Sequence, residues 1–262
     1  MGQSVPRTED PRLLRGGGRY VDDIRLPNEC HAYMLRTPHA HARIVSIETK
    51  QAQTMPGVIA VYTGADWVGD GHGQHPAGHN RVRRDGSPLY VPTRNAIAHE
   101  AVKVTGDIVA MIVAESVNLG KDAAEKIVVE YDLMPVITEG TQARAEGAPV
   151  LHEGCEDNEG YFYTAGDKQA VEAAIASAYH VTRLQTKINR ITANTMEPRS
   201  CIGDYDHRFD RYILMGGTQR PHLLRKTLAI DVFGVPETAV KMVTPDVGGS
   251  FGMKGGHAPE NH

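Results

Sequence analysis

Cysteine is scarce and badly spaced for chemistry. Cys30, Cys155 and Cys201 are the only three, far apart and with no C-x-x-C pair. That excludes a disulfide framework and leaves no cysteine-based zinc motif. Excess positive charge is also lacking: 28 Lys and Arg stand against 32 Asp and Glu, for a net charge of -4. The one basic knot, Arg81-Val82-Arg83-Arg84, has no interleaved aromatics, so no nucleic-acid partner is expected. The longest apolar run, Ile108 to Ala114, is far too short to cross a bilayer, and no membrane span is expected. Residues Met1 to Asp10 have no apolar h-region, so no secretory signal is visible and a cytoplasmic setting is the expectation. G-x-S-x-G, H-E-x-x-H and a recognisable Cys/His dyad are all missing, which leaves hydrolase chemistry without a foothold.

What remains is an ordinary globular composition. The 262 residues are 40% apolar and 23% charged, enough to bury a core in one or two domains. Residues 1–28 read as an ordered but irregular lead-in with turn chemistry at Gly16-Gly17-Gly18 and Leu26-Pro27-Asn28. From Cys30 a two-fold alternation predicts a strand. Further strands are expected at Arg43–Thr49, Val58–Tyr62, Ile108–Ala114 and Ile127–Tyr131, with helices at Lys50–Met55 and Asn118–Lys126. Between Trp67 and Asn95 the chain is rich in Gly, His and Arg and reads as a long surface excursion. Gly140 to Gly160 is the best linker. Beyond it, Asp167 is placed to cap a helix carrying Ala170, Val171, Ala174, Ile175 and Ala178 at helical spacing. Strands follow at His180–Asn189, Ser200–Asp206 and Tyr212–Met215. A helix from about Pro221 to Phe233, stopped by Gly234 and Pro236, leads to a last strand at Val240–Val243. The fold class is α+β.

Chemistry concentrates near the end of the sequence. Gly248-Gly249-Ser250-Phe251-Gly252 follows a strand, and glycines let backbone donors approach a ligand closely. Successive N–H groups in such a turn form an anion-binding nest, although taken alone a glycine-rich turn after a strand is more often structural. It is neither a P-loop nor a dinucleotide fingerprint. Gln219 precedes a helix, where its amide is suited either to an anionic ligand or to capping. Among thirteen histidines, His72, His75 and His79 have metal-ligand spacing but no carboxylate or cysteine to complete a set. His39 and His41 would share one face of a strand. Met196-Glu197-Pro198-Arg199 sets a carboxylate and a guanidinium on either side of a proline and reads as an ion pair organising a turn.

Taken together, several stretches resemble one family. They are Glu9-Asp10-Pro11-Arg12-Leu13-Leu14-Arg15-Gly16, Tyr20-Val21-Asp22-Asp23-Ile24, Leu35-Arg36-Thr37-Pro38-His39-Ala40-His41-Ala42-Arg43-Ile44, Met55-Pro56-Gly57-Val58, Gly106-Asp107-Ile108-Val109-Ala110, Met196-Glu197-Pro198-Arg199, Gln219-Arg220-Pro221-His222 and the glycine turn. In this order they resemble the molybdenum-cofactor-binding large subunits of xanthine dehydrogenase, aldehyde oxidase and carbon monoxide dehydrogenase. The resemblance implies an N-terminal extension over 1–17, an α/β hammerhead domain over 18–135, a linker over 136–165, and the beginning of a molybdopterin-binding domain over 166–262. It implies that Gln219 donates to an oxygen ligand of molybdenum, and that Gly249, Ser250, Phe251 and Gly252 bind the cofactor, with Phe251 walling the substrate site. Family members hydroxylate an electron-poor carbon of an aldehyde, N-heterocycle or related small molecule and pass electrons to iron–sulfur and FAD partner subunits or domains. The family's general-base glutamate lies late in a longer subunit, so no catalytic residue is expected here. A C-terminal large-subunit polypeptide is then the implied partner, and a truncated, non-catalytic module with a binding or assembly role is the alternative. Two departures stand out: Ser250 replaces a common glycine, and Thr195 replaces a proline, which is expected to loosen that loop.

Overall fold

The structure is a computed structural model that describes residues 2–75, 80–92, 94–189 and 191–256. The lead-in contains a short helix, α1 (Asp10–Leu13). Strands β1 (His31–Arg36) and β2 (Ala42–Glu48) follow, then helix α2 (Lys50–Gln53), strand β3 (Val58–Thr63) and helix α3 (Gly64–Gly69). Next come β4 (Ala101–Val102), β5 (Ile108–Ala114), α4 (Val117–Ala124) and β6 (Val128–Leu133). Helix α5 (Lys168–Ser177) precedes β7 (Cys201–Asp206), β8 (Arg211–Gly216), α6 (Pro221–Lys226) and β9 (Val240–Val243).

These strands make three sheets of three, in the orders β1-β5-β3, β4-β2-β6 and β7-β8-β9. In the first, β5 is central and antiparallel to both neighbours. A central strand covered on two faces has to be apolar throughout, and Ile108 to Ala114 is. Ala110 and Ile112 face a cluster with Ala52 of α2, Ala123 and Ala124 of α4, Val61 and Ile127. Val109 faces another, with Ala42 and Val102 of the second sheet. Helix α4 starts where Ser116 accepts a hydrogen bond from the Leu119 N–H, at 3.3 Å.

The third sheet pairs β7 with β8 antiparallel and β8 with β9 parallel. A parallel pair needs a crossover, and α6 supplies it. Its axis continues as a π-helical turn over Thr227–Val232, so Leu224, Leu228 and Ala229 are all buried beneath it with Leu214 and Val240. The Val232 carbonyl there accepts the Gly73 N–H at 2.8 Å. A Cβ on Gly73 would lie 1.8 Å from the Asp231 carbonyl oxygen, so only glycine passes.

The chain divides into two compact units: residues 1–76, 93–136 and 193–262 form one, and 77–92 with 137–192 form the other. In the second unit, part of the expected surface excursion and the expected linker hold each other. Val82 bridges to Phe162, Arg84 lies 3.7 Å over the Phe162 ring, and Arg84 and Arg144 both pair with the buried carboxylate of Glu159. Cys155 is buried there, and burial pushes its thiol pKa up.

Several expectations need correction. His180–Asn189 forms no strand; residues 180–189 have no ladder partner, and Leu184 and Ile188 are exposed. The pattern was right for a half-buried strand, but pairing is non-local and nothing described pairs with it. Helix α5 forms as expected, with Asp167 capping Ala170 at 3.0 Å, yet buries none of its residues. His39 and His41 lie outside any strand. His41 is buried with its Nδ1 2.8 Å from the Pro135 carbonyl, while His39 meets Tyr131 edge to face. The lead-in is ordered, with Val21 and Ile24 as core residues.

That lead-in also ties to the exit of β9. Arg12 grips Asp246 with two hydrogen bonds of 2.7 and 2.6 Å, and the Arg19 N–H adds a third at 2.8 Å. These donors, the Arg12 guanidinium first, hold the Asp246 carboxyl down at about 2 from an ordinary 3.8.

Two outcomes follow for stability. Replacing the fully buried Ile112 by alanine removes core contacts and leaves a cavity, lowering the unfolding free energy in urea by about 2–5 kcal/mol. Because the Asp246 pKa is depressed on folding, its contribution is complete above pH 3.8 and drains away as pH falls through about 2. Denaturation midpoints of wild type and Asp246→Asn should therefore differ near neutrality and converge in that acid window; a constant gap would contradict the assignment.

Candidate functional site

Strand β8 ends at Gly216 and runs through Gly217 and Thr218 to Gln219. Strand β9 ends at Val243 and runs through Asp246 into Gly248-Gly249-Ser250-Phe251-Gly252. Since β8 and β9 are neighbours in parallel register, both C-terminal exits leave the same edge of the sheet. That is how residues so distant in sequence meet.

The Gln219 N–H donates to the Lys254 carbonyl at 3.0 Å, and the Thr218 hydroxyl donates to the same oxygen at 3.2 Å. A Cβ on Gly255 would stand 3.0 Å from Gln219 Oε1, so the amide side chain lies against the residues that follow the turn. Gln219 does not cap α6: the N-cap residue is Arg220, and the helix has no side-chain cap. Its side chain is exposed, as is that of Phe251.

The turn uses left-handed backbone at Gly249 (φ 100), Phe251 (φ 48) and Gly252 (φ 85). Glycine adopts this freely, but a bulky phenylalanine there is strained by roughly 1–2 kcal/mol. Hydrogen bonds hold the turn closed behind it. The Met253 N–H donates to the Ser250 carbonyl at 2.9 Å, and the Lys254 N–H donates to Ser250 Oγ at 3.0 Å. Serine at 250 is therefore more than tolerated, because its hydroxyl is one of the clasps. Among the described residues, no partner accepts from the N–H groups of Gly249, Ser250, Phe251 or Gly252. Four consecutive donors left unpaired among the described residues suit an oxyanionic ligand.

Beneath the turn lies a feature that sequence reasoning missed. Lys254 is buried, its side chain 1% exposed, and its Nζ sits 2.6 Å from Glu197 Oε2. The same oxygen accepts the Gly248 N–H at 2.7 Å, while the Glu197 N–H donates back to the Gly248 carbonyl at 3.3 Å. The expected Glu197–Arg199 pair is not made. Glu197 reaches Lys254, and Arg199 donates instead to the Met253 carbonyl at 2.7 Å. Proline 198 points the two charges to different parts of one turn, because its fixed φ carries the chain past rather than back. Thr195 does not loosen the loop; it is buried, and its hydroxyl donates to the Glu197 carbonyl at 2.5 Å. The available signal was an isolated lysine directly after a glycine turn, with an isolated glutamate in another short motif.

The histidine spacing leads elsewhere. His72 lies between the rings of Trp67 and Phe233, at 4.7 and 5.8 Å between centroids, and His79 is outside the described residues. Among the described residues no group of three or more His, Cys, Asp or Glu is placed to hold a metal ion. No helix among them is long and apolar enough to cross a membrane.

Gly248 gives a direct test of this packing. A Cβ there would come within 2.4 Å of Glu197 Cβ, whereas one on Gly256 meets nothing. Gly248→Ala should cost about 1–3 kcal/mol of stability by overpacking, measured by thermal or urea unfolding, with Gly256→Ala close to wild type.

Comparisons with known proteins agree with this architecture. Residues 15–135 match the family model described as aldehyde oxidase and xanthine dehydrogenase, a/b hammerhead domain. Residues 151–261 match the molybdopterin cofactor-binding domain. The nicotine 6-hydroxylase large subunit of Paenarthrobacter nicotinovorans is 35% identical across 99% of this chain and 31% of its own length. The carbon monoxide dehydrogenase large chain of Afipia carboxidovorans is 32% identical, over 98% of this chain and 32% of its own. Among solved structures, quinoline 2-oxidoreductase from Pseudomonas putida 86 superposes with a TM-score of 0.87 at 36% identity, over 99% of this chain and 32% of that one. The chain thus spans about a third of the length of the relatives it matches. It belongs to the aldehyde oxidase and xanthine dehydrogenase family, and corresponds to the N-terminal part of a molybdopterin-binding large subunit, a hammerhead domain followed by the start of the cofactor-binding domain.

Proposed function

We infer that this chain forms part of a molybdenum hydroxylase large subunit and contributes one wall of its cofactor site. The observation that supports the reading is that the Gln219 segment is bound to Lys254, just past a glycine turn whose four N–H groups have no acceptor among the described residues. Such donors fit the oxygen ligands of a molybdenum cofactor, and the left-handed glycines keep Cβ atoms out of their way. When bound, the cofactor supplies the redox and oxygen-insertion chemistry at an electron-poor carbon. This chain's residues would bind and orient it: the Gln219 amide and the N–H groups of Gly249, Ser250, Phe251 and Gly252 would donate to its oxygen atoms. The exposed ring of Phe251 would wall the substrate side of that site.

The substrate class is an aldehyde, an N-heterocycle or a related small molecule. Nicotine and carbon monoxide, named for two of the relatives, mark the breadth of that class. Electrons leave through iron–sulfur and FAD partners, and a further large-subunit segment supplies the general-base glutamate and the remaining pterin contacts.

Two measurements test this. The isolated 262-residue chain should bind no stoichiometric molybdenum, while the assembled large subunit should; tight binding by the lone chain would contradict a shared site. In the assembled enzyme, Gln219→Ala should keep the unfolding midpoint and lower turnover by about 10²-fold, the usual size for losing one preorganised donor. Unchanged turnover on a panel of aldehyde, N-heterocycle and carbon monoxide would remove Gln219 from the site.

A further inference from the structure

The ion pair beneath the turn is the strongest candidate for a role beyond binding. Lys254 is held at three points. Its N–H binds Ser250 Oγ, its carbonyl receives Gln219 N–H and Thr218 Oγ1, and its ammonium meets Glu197. One residue therefore touches the front of the turn, the Gln219 segment and the Glu197 loop. Glu197 in turn fastens Gly248, the first residue of the turn, through reciprocal main-chain and side-chain bonds. Glu197 Oε1 is buried with no hydrogen-bond partner among the described residues. Carrying an unsatisfied carboxylate oxygen and a dehydrated ammonium is costly, and stability alone does not call for it, since a well-packed apolar pair of similar volume often serves as well.

We propose that Lys254 and Glu197 are a positioning pair that sets the glycine turn against Gln219, so that the amide and the row of N–H groups face one oxyanionic ligand. The inference rests on the cofactor-site reading above and deepens it. An apolar pair fills volume but lacks direction. The ammonium and carboxylate fix both the spacing and the rotation of the turn, because the Gly248 N–H and the Lys254 ammonium converge on one carboxylate oxygen. The Lys254 ammonium is spent on Glu197.

The test uses the assembled large subunit, purified with its partner subunits from a host that makes molybdenum cofactor. Variants are Lys254→Met, Glu197→Gln, the double variant, and Lys254→Arg. Each is assayed for its thermal unfolding midpoint and for pterin content, read as fluorescence after acid oxidation. The single neutralisations should lower both, since each leaves a buried charge alone. The double variant has no stranded charge, so its midpoint should return towards wild type while its pterin content stays down about tenfold or more, as for other residues that orient a cofactor from behind. Recovery of pterin content together with the midpoint would overturn the proposal and leave the pair purely structural. Should the double variant not regain its midpoint, Lys254→Arg decides. It keeps the ion pair with a longer, planar head, so pterin content should fall several-fold with the fold retained, and wild-type content would sink the idea. A wild-type enzyme devoid of pterin would instead refute the proposed function, a result distinguishable from either of these.

Discussion

A buried charge pair, Lys254 with Glu197, is the interaction on which the glycine turn and the Gln219 segment depend. A lysine side chain 1% exposed survives only if its ammonium is compensated. Stranding one member of such a pair costs about 3–5 kcal/mol. Gly248 is explained by this pair: its missing Cβ leaves room for the Glu197 side chain, so that glycine serves internal packing, whereas Gly249 and Gly252 serve backbone conformation. One run of glycines thus answers two different physical demands.

The rest of the first unit carries that arrangement without touching it. Strand β5, apolar along its length, joins the cores of the first two sheets. The β8-α6-β9 crossover brings two strand ends to one edge. The lead-in reaches the same region through Arg12 and Arg19, which grip Asp246 just before the turn. A segment that looks dispensable in composition therefore restrains the approach to the candidate site.

The legible parts of the sequence were those governed by local rules. The period-two and continuous apolar patterns located every strand from β1 to β9 except the two-residue β4, and Asp167 and Pro221 marked their helix starts. The Gln219 stretch and the glycine turn stood out because their residue types are unusual. Other features depend on what meets what across large sequence separations. Glu197 finds Lys254 rather than its near neighbour Arg199, and Arg12 finds Asp246. Residues 180–189 have strand composition and, among the described residues, nothing to pair with. The packing of Glu159 between two arginines turned a glycine- and proline-rich stretch into an ordered unit. Composition predicts flexibility from the backbone's freedom, and takes no account of a carboxylate that two guanidiniums can claim.

The π-helical turn at Thr227–Val232 bears on how this fold tolerates change. A wider turn holds one residue more than an α-helix would over the same path. Deleting a single residue there would restore ordinary winding over the same path and change the carbonyl presented at the helix end. The Val232 carbonyl would then miss Gly73, whose lack of a side chain exists to admit it. The bulge and the distant glycine are thus two halves of one fit, and natural variation at one should be read together with the other.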